Sequence, residues 1–186
     1  MEGGYLFSIG HGNKTIEELI DALMLFGIKY LIDVRSKPFS KFYPQFNKDS
    51  LNIAINLTGD IHYGYMGDQI GGLPEDETLK TGGKMDYGKM RQNPNFIFGI
   101  NRLIKANEMN LPTCIMCSEG NPSECHRSKL IGEALRDKGI IMKHICKNHE
   151  GKYVLKSQID VINEVSGGCM VDLFGEELNL TSRKTY

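Results

Sequence analysis

The sequence predicts an α/β fold, a mostly parallel sheet with helices on both faces in a Rossmann-like three-layer sandwich. Three observations carry that prediction. Short apolar runs alternate about four or five times with segments of helical periodicity. The helical segments open on capping residues and close on glycine. The polar clusters follow apolar runs directly, which places them at the carboxyl edge of such a sheet. Residues 1–165 are expected to form a single domain, and 166–186 a tail that packs back or stays partly flexible.

The elements read in order. Tyr5–Ile9 is a short apolar strand ending at Gly10-His11-Gly12-Asn13. Thr15 and Glu18 form a capping-box pattern, and Ile16, Leu19, Ile20, Leu23 and Phe26 recur at helical spacing up to Gly27. Lys29–Val34 is the second strand, followed by a loop with Pro38, Ser40 and Pro44. A helix from about Lys48 to Leu57 stops at Gly59, and Ile61–Tyr65 is the third strand. The Gly- and charge-rich stretch 66–93 reads as a lid, a binding loop or a disordered segment, with a helical turn near Tyr87–Arg91.

Asn93-Pro94 caps a helix running to about Met109. Leu111–Cys117 is a strand and Ser118–Ser123 a loop, with Ser123 the expected cap of a helix ending near Lys138. Ile140–Ile145 is a strand, Asn148–Lys152 a turn and Lys156–Val165 the last helix. Val171–Phe174 is expected to pack back on the body.

Composition bounds the function. Lys+Arg 22 against Asp+Glu 23 gives a net charge of −1, so nothing draws the chain to polyanions in general. Nucleic acid would need a local basic patch, and no long Lys/Arg run supplies one. No apolar stretch reaches the roughly 20 residues that cross a bilayer. The odd count of five cysteines fits a reducing compartment, and a cytoplasmic location is expected.

The densest chemical cluster is Cys117-Ser118-Glu119-Gly120-Asn121-Pro122-Ser123-Glu124-Cys125-His126-Arg127. With Ser123 as cap, Cys125 and His126 fall in a first helical turn, where the helix dipole favours a thiolate. Cys125 is then the candidate nucleophile or redox thiol, His126 or His11 the proton shuttle, and Glu119 a second acid/base, with Cys117 beside them. Asp33, Arg35 and Ser36 follow the second strand. Arg35 and Arg127 offer planar forks for phosphate or carboxylate, and Asp33 can orient His126 or a ligand hydroxyl, or pair with an arginine to fix the loop.

Cys114 and Cys117 spell C-x-x-C, but residues three apart on a strand face opposite ways, so Cys114 is assigned to the core. Zinc on Cys117, Cys125 and His126, with His11 as fourth ligand, is the alternative; no second ligand pair supports it, and no metal site is assigned. His62 and His144 read as core residues and His149 as solvated. Tyr63, Tyr65, Phe39, Phe42 and Tyr43 are candidates for a stacking face.

Ile9-Gly10-His11, Asp33-Val34-Arg35-Ser36 with Pro38 and Ser40, Gly71-Gly72, Cys117-x-Glu119-x-x-Pro122-x-x-Cys125-His126-Arg127 and His144-Ile145 together resemble the bacterial and archaeal domain of unknown function 488 family. Members often read Gly-His-Ser where this chain has Gly10-His11-Gly12. The resemblance implies the fold and the site, and brings no reaction with it. The leading expectation is an enzyme, a hydrolase or transferase with Cys/His chemistry, acting on a small phosphorylated molecule, a nucleotide or a nucleic-acid end. A non-catalytic anion-binding module is the rival; cofactor and oligomeric state are left open.

Overall fold

The computed structural model describes residues 4–167 and 180–185. Strand β1, Leu6–Gly10, leads into helix α1, Ile16–Leu25. The Thr15 side chain accepts from the Glu18 amide while the Glu18 carboxylate accepts from the Thr15 amide, the reciprocal cap expected of this sequence. Strand β2, Tyr30–Asp33, is followed by a tight turn at Pro44–Phe46, helix α2, Lys48–Asn56, and strand β3, His62–Tyr65.

The stretch read as a lid or binding loop is a folded insertion. It contains the short helix α3, Gly67–Ile70, a two-stranded ribbon of β4, Lys80–Thr81, and β5, Lys84–Met85, and helix α4, Tyr87–Gln92. Ile70, Leu79, Met85, Tyr87 and Met90 are buried in one continuous cluster. These apolar residues are spaced too irregularly to show a period, which is why the sequence pattern hid them.

Helix α5, Pro94–Glu108, carries Pro at its first position and the Asn93 side chain as cap. Strand β6, Thr113–Cys117, is buried throughout. Beyond it a π-wound helix, Arg127–Gly132, runs into the α-turn α6, Glu133–Arg136. Strand β7, Lys143–Lys147, pairs antiparallel with β8, Tyr153–Ser157, through a turn held by the Asn148 side chain, and helix α7, Gln158–Ser166, follows. Strand β8 was not expected. Its residues Tyr153, Val154 and Leu155 have strand propensity, and Lys156 and Ser157, expected in the last helix, end the strand instead.

The six strands lie in the order β3-β2-β6-β1-β7-β8, all parallel except β8. Helices cover both faces. Alternation along β6 sends Cys114 and Met116 into one core with α1 and α2, and Ile115 and Cys117 into the other with α5 and the π-wound helix. Cys114 is therefore core, as expected, and Cys117 is directed to the face that carries Cys125 and Leu130. β6 is inserted between β1 and β2, so the carboxyl ends of three adjacent strands deliver Gly10-His11, Asp33–Arg35 and Cys117 to one edge.

His144 sits in the core as expected. Its Nε2 donates to Gln158 Oε1 at 2.7 Å and its Nδ1 accepts from Ser8 Oγ at 2.6 Å, while Gln158 Nε2 donates to Ser128 O and Glu133 Oε1. This chain of bonds ties β1, β7 and α7 to the π-wound helix. His62 departs from expectation: it is exposed on the edge strand β3, against Tyr30. His149 is exposed, and Val171–Phe174 lie outside the described residues. Among the described residues no helix is long and apolar enough to cross a membrane. Residues 180–185 do run back over the body: Tyr87 N donates to Leu180 O, Ser182 N to Met85 O, and Met85 N to Ser182 Oγ.

Candidate active site

Backbone pairing continues past the strand ends and assembles the site. His11 N donates to Cys117 O, Gly12 N to Ser118 O and Val34 N to Met116 O, at 2.9–3.0 Å. Gly10 allows this closure: a Cβ there would stand 1.8 Å from Glu119 O. No side chain larger than hydrogen fits between the two loops.

On the floor of the resulting cleft, Cys117 Sγ and Cys125 Sγ lie 3.6 and 3.7 Å from Nδ1 of His126. The other ring nitrogen, Nε2, is 3.1 Å from Val34 O. A carbonyl only accepts, so Nε2 carries the proton and Nδ1 presents its lone pair to the two sulfurs. Gly72 packs on the ring; a Cβ there would come within 2.6–2.8 Å of His126 atoms. The Gly71-Gly72 motif thus holds the imidazole in place, and Ser36 Oγ secures the same loop by accepting from Leu73 N at 2.9 Å.

Cys125 differs from expectation. The side chain that caps the turn is Asn121, which accepts from Ser123 N, and Pro122–Glu124 is a 3-10 turn rather than the first turn of a long helix. Cys125 is extended (φ −112°, ψ 149°) and the helix proper begins after His126. Pro122 fixes the tight turn, and the Ser128 hydroxyl bonds back to Pro122 O and Cys125 O. Cys125 therefore lies outside the helix and gains little from its N-terminus. Burial pushes its thiol up, and the neighbouring Cys117 pushes it further. Cys117 is held well below the ordinary thiol range, chiefly by the hydrogen bond it accepts from Cys125, with His126 adding to it. The thiol whose pKa is lowered is thus Cys117, whereas the helix-start argument had placed that effect on Cys125.

The arginines also divide. Arg35 is clamped: Nε and one terminal nitrogen donate to the two oxygens of Asp33 at 2.9 and 2.6 Å, and that nitrogen also donates to Phe46 O. Asp33 is fully buried, accepts in addition from Tyr63 Oη, and has no hydrogen bond to His126; the Asp33–Arg35 pair fixes the loop, and Val34 O orients His126. Arg127 is 0% exposed and spends its terminal nitrogens on Glu119 O at 2.5 Å and Gly120 O at 2.9 Å. It shapes the 117–125 loop from behind and is not among the residues that line the cleft, whereas Arg35 is.

His11 stacks on Phe46 at 4.3 Å between ring centroids, gives its Nδ1 proton to Gly12 O and turns Nε2 toward Arg35 at 3.5 Å. Burial and the Arg35 charge lower its pKa to about 4, so it is neutral near pH 7. It is near the centre but not among the cleft residues, and it does not join the two cysteines and His126 as a fourth ligand.

The mouth of the cleft contains residues the sequence did not single out. Arg183, brought in by the C-terminal segment, pairs with Glu124 at 2.5 Å and Glu119 at 3.7 Å. Lys37 and Lys184 line the opening without a carboxylate partner among the described residues. No local signal marks Arg183 and Lys184, because they reach the site only through the long-range return of the chain end.

Among the described residues the three ligand atoms of Cys117, Cys125 and His126 form the one group suited to a metal ion, all within 4.8 Å of one another. Tetrahedral zinc, with bonds of about 2.3 Å to sulfur and about 2.0–2.1 Å to nitrogen, requires S···N separations of about 3.6 Å. The observed distances of 3.6 and 3.7 Å meet that requirement. The His126 Nε2–H to carbonyl bond is the outer support that metal-bound imidazoles ordinarily have.

Compared with known proteins, residues 15–134 match the family model described as Domain of unknown function DUF488. No curated protein and no solved structure gives a significant match.

Proposed function

The chain belongs to the DUF488 family, and from that premise we propose that it is a metal-assisted hydrolase of phosphate-bearing substrates, centred on Cys117, Cys125 and His126. One observation carries the reading. Two thiols and a bare imidazole nitrogen converge at metal-ligand spacing on the floor of a cleft that is open to a substrate. Three protein ligands with a free fourth position are the arrangement of a catalytic rather than a structural zinc.

A zinc ion held by Cys117, Cys125 and His126 would supply an acidified water and polarise a phosphoryl oxygen. The chain's own residues do the rest. Lys37 and Lys184 bind the phosphate charge at the opening. Glu119, on the rim, takes one proton of the attacking water as the water oxygen bonds to phosphorus, and the bond to the leaving oxygen breaks with its electron pair leaving on that oxygen. Val34 O and Gly72 keep His126 Nδ1 aimed at the centre. Arg35 and Arg127 serve as buried braces for the loops that hold these groups.

The test is hydrolysis of p-nitrophenyl phosphate and bis-p-nitrophenyl phosphate by the full chain, loaded with zinc or stripped by chelator. Activity is expected in the loaded form, lost on chelation and restored by zinc. Hydrolysis that survives chelation but stops after iodoacetamide treatment would move the chemistry to a thiol nucleophile and overturn the metal reading.

A further inference from the structure

We propose that the loop 37–43 beside the cleft is a docking surface for single-stranded nucleic acid, which delivers one phosphate of the strand to the Cys117–Cys125–His126 centre. This rests on the reading above for the reaction, and on separate observations for the binding.

The loop is built, not slack. Phe39 N donates to Lys37 O, Ser40 N to Asn47 Oδ1, and the amides of Phe42 and Tyr43 to Ser40 Oγ, while Lys48 N returns to Pro38 O. Its inner end is pinned to the site by Phe46, buried against His11, and by Tyr43, edge-on to the same ring at 6.1 Å. On this fixed backbone Phe39 is 69% and Phe42 90% exposed. Two largely exposed phenyl rings three residues apart on a hydrogen-bonded loop, with lysines between and beside them in sequence, suit a surface that a partner covers.

Charge says which partner. From Arg35 to Lys48 the chain has Arg35, Lys37, Lys41 and Lys48 and no Asp or Glu. Arg35 is spent on Asp33, which leaves three lysines interleaved with the aromatic rings. Lys48 also lies 4.0 Å from the Tyr65 ring centroid. Aromatic faces that alternate with cations suit unpaired bases strung on a phosphate backbone; a duplex keeps its base faces stacked away. The sequence has no long basic run and offers Phe39, Phe42 and Tyr43 only as stacking candidates; the burial of Phe46 and the exposure of Phe39 and Phe42 show which of the rings face outward.

The size of the cleft, taken apart from the adjoining cavity of about 460 Å³ that shares Ser36, Lys37 and Leu73 with it, is compatible with this. At about 170 Å³ it is smaller than the roughly 300–1,000 Å³ of pockets that enclose a whole small ligand. It admits the reacting group, and Lys37 belongs both to its lining and to the aromatic loop. A substrate with one phosphate in the cleft and flanking bases on Phe39 and Phe42 uses both features.

The probe is a fluorescein-labelled single-stranded oligopyrimidine, read by anisotropy against the full chain, with the same strand annealed as duplex and with phosphatidylserine-containing vesicles as the other arms. Single strand should bind with a log–log salt slope of about −2, as expected for three phosphate contacts at about −0.7 each. Phe42→Ala should weaken binding at least about tenfold, the size of one lost base stack. Lys41→Ala should flatten the salt slope by about 0.7. Neither change should alter hydrolysis of p-nitrophenyl phosphate. Preference for duplex, binding indifferent to Phe42, or capture by vesicles without oligonucleotide binding would overturn the proposal. If the single strand binds through Phe42 while no hydrolysis is found, the docking surface stands and the hydrolase reading fails; if the ester is cleaved but no strand binds, the reverse holds.

Discussion

Cys117→Ala, Cys125→Ala and His126→Gln should each weaken zinc binding by more than about 100-fold, beyond the roughly 10–100-fold that an outer-sphere partner is worth. The reason is geometric. Each residue supplies one of three donor atoms within 4.8 Å, and no fourth protein ligand among the described residues stands ready to replace it. The measurement is metal content after dialysis in reducing buffer, paired with competition against a chromophoric chelator. Cys146→Ala is the control: that thiol is half-buried on β7 and outside the group. His126→Gln keeps the bulk that packs on Gly72, so a folded, metal-free variant separates lost ligation from lost structure. A metal content that follows the stability of the variants rather than their ligands would show that the cysteines are only core.

Acid should destabilise the fold between about pH 6.5 and about pH 4 through His144. His144 is fully buried, and burial lowers its pKa from 6.5 to about 4. Its Nε2 must keep its proton for Gln158 Oε1, and Nδ1 must stay bare for the Ser8 hydroxyl. In the unfolded chain the ring protonates near 6.5, whereas in the native state it resists until about 4. Between these values the unfolded state binds the extra proton, so its population rises as pH falls. The contribution of this ring is whole above pH 6.5 and lost by about pH 4, a fall of about 3 kcal/mol at 1.36 kcal/mol per unit. Urea unfolding at pH 7, 5.5 and 4.5 reads it directly. His144→Gln offers polar atoms but no titration, and should flatten the slope in that window even if it lowers stability at pH 7. An unchanged slope would assign the acid lability elsewhere.

What the sequence made legible was local and periodic. The capping box at Thr15 and Glu18, Pro94 at the head of α5, and the apolar strands before each polar cluster all state their structure within a few residues. That is enough to place His11, Asp33–Ser36 and Cys117–Arg127 at one sheet edge. The roles within the site depended on direction, which spacing does not encode. Arg35 and Arg127 both look like anion forks in the sequence; one closes on Asp33 and the other on two loop carbonyls. Cys125 looked helical because Ser123 is a good cap, but Asn121 and Pro122 capture the turn first. His126 is oriented by a backbone carbonyl, a partner that no side-chain motif can announce. β8 was obscured because Lys156 and Ser157 suit a helix start as well as a strand end.

The same direction problem explains the metal alternative. The C-x-x-C spelling at Cys114 and Cys117 does not make a pair, because β6 turns the two thiols into opposite cores, as strand alternation predicts. The pair that meets is Cys117 and Cys125, joined across a loop whose path is set by Arg127 and the tight approach at Gly10. Each of those supports lies outside any zinc-binding signature.

Cobalt(II) spectroscopy tests the centre most directly. Added to the reduced, metal-free chain, cobalt should bind at one equivalent and give thiolate-to-metal charge-transfer absorption in the near ultraviolet, together with the strong visible bands of a four-coordinate ion; zinc should displace it and abolish both. Weak visible bands of a six-coordinate ion without thiolate charge transfer, in a chain shown to be folded and reduced, would contradict a centre built from Cys117, Cys125 and His126.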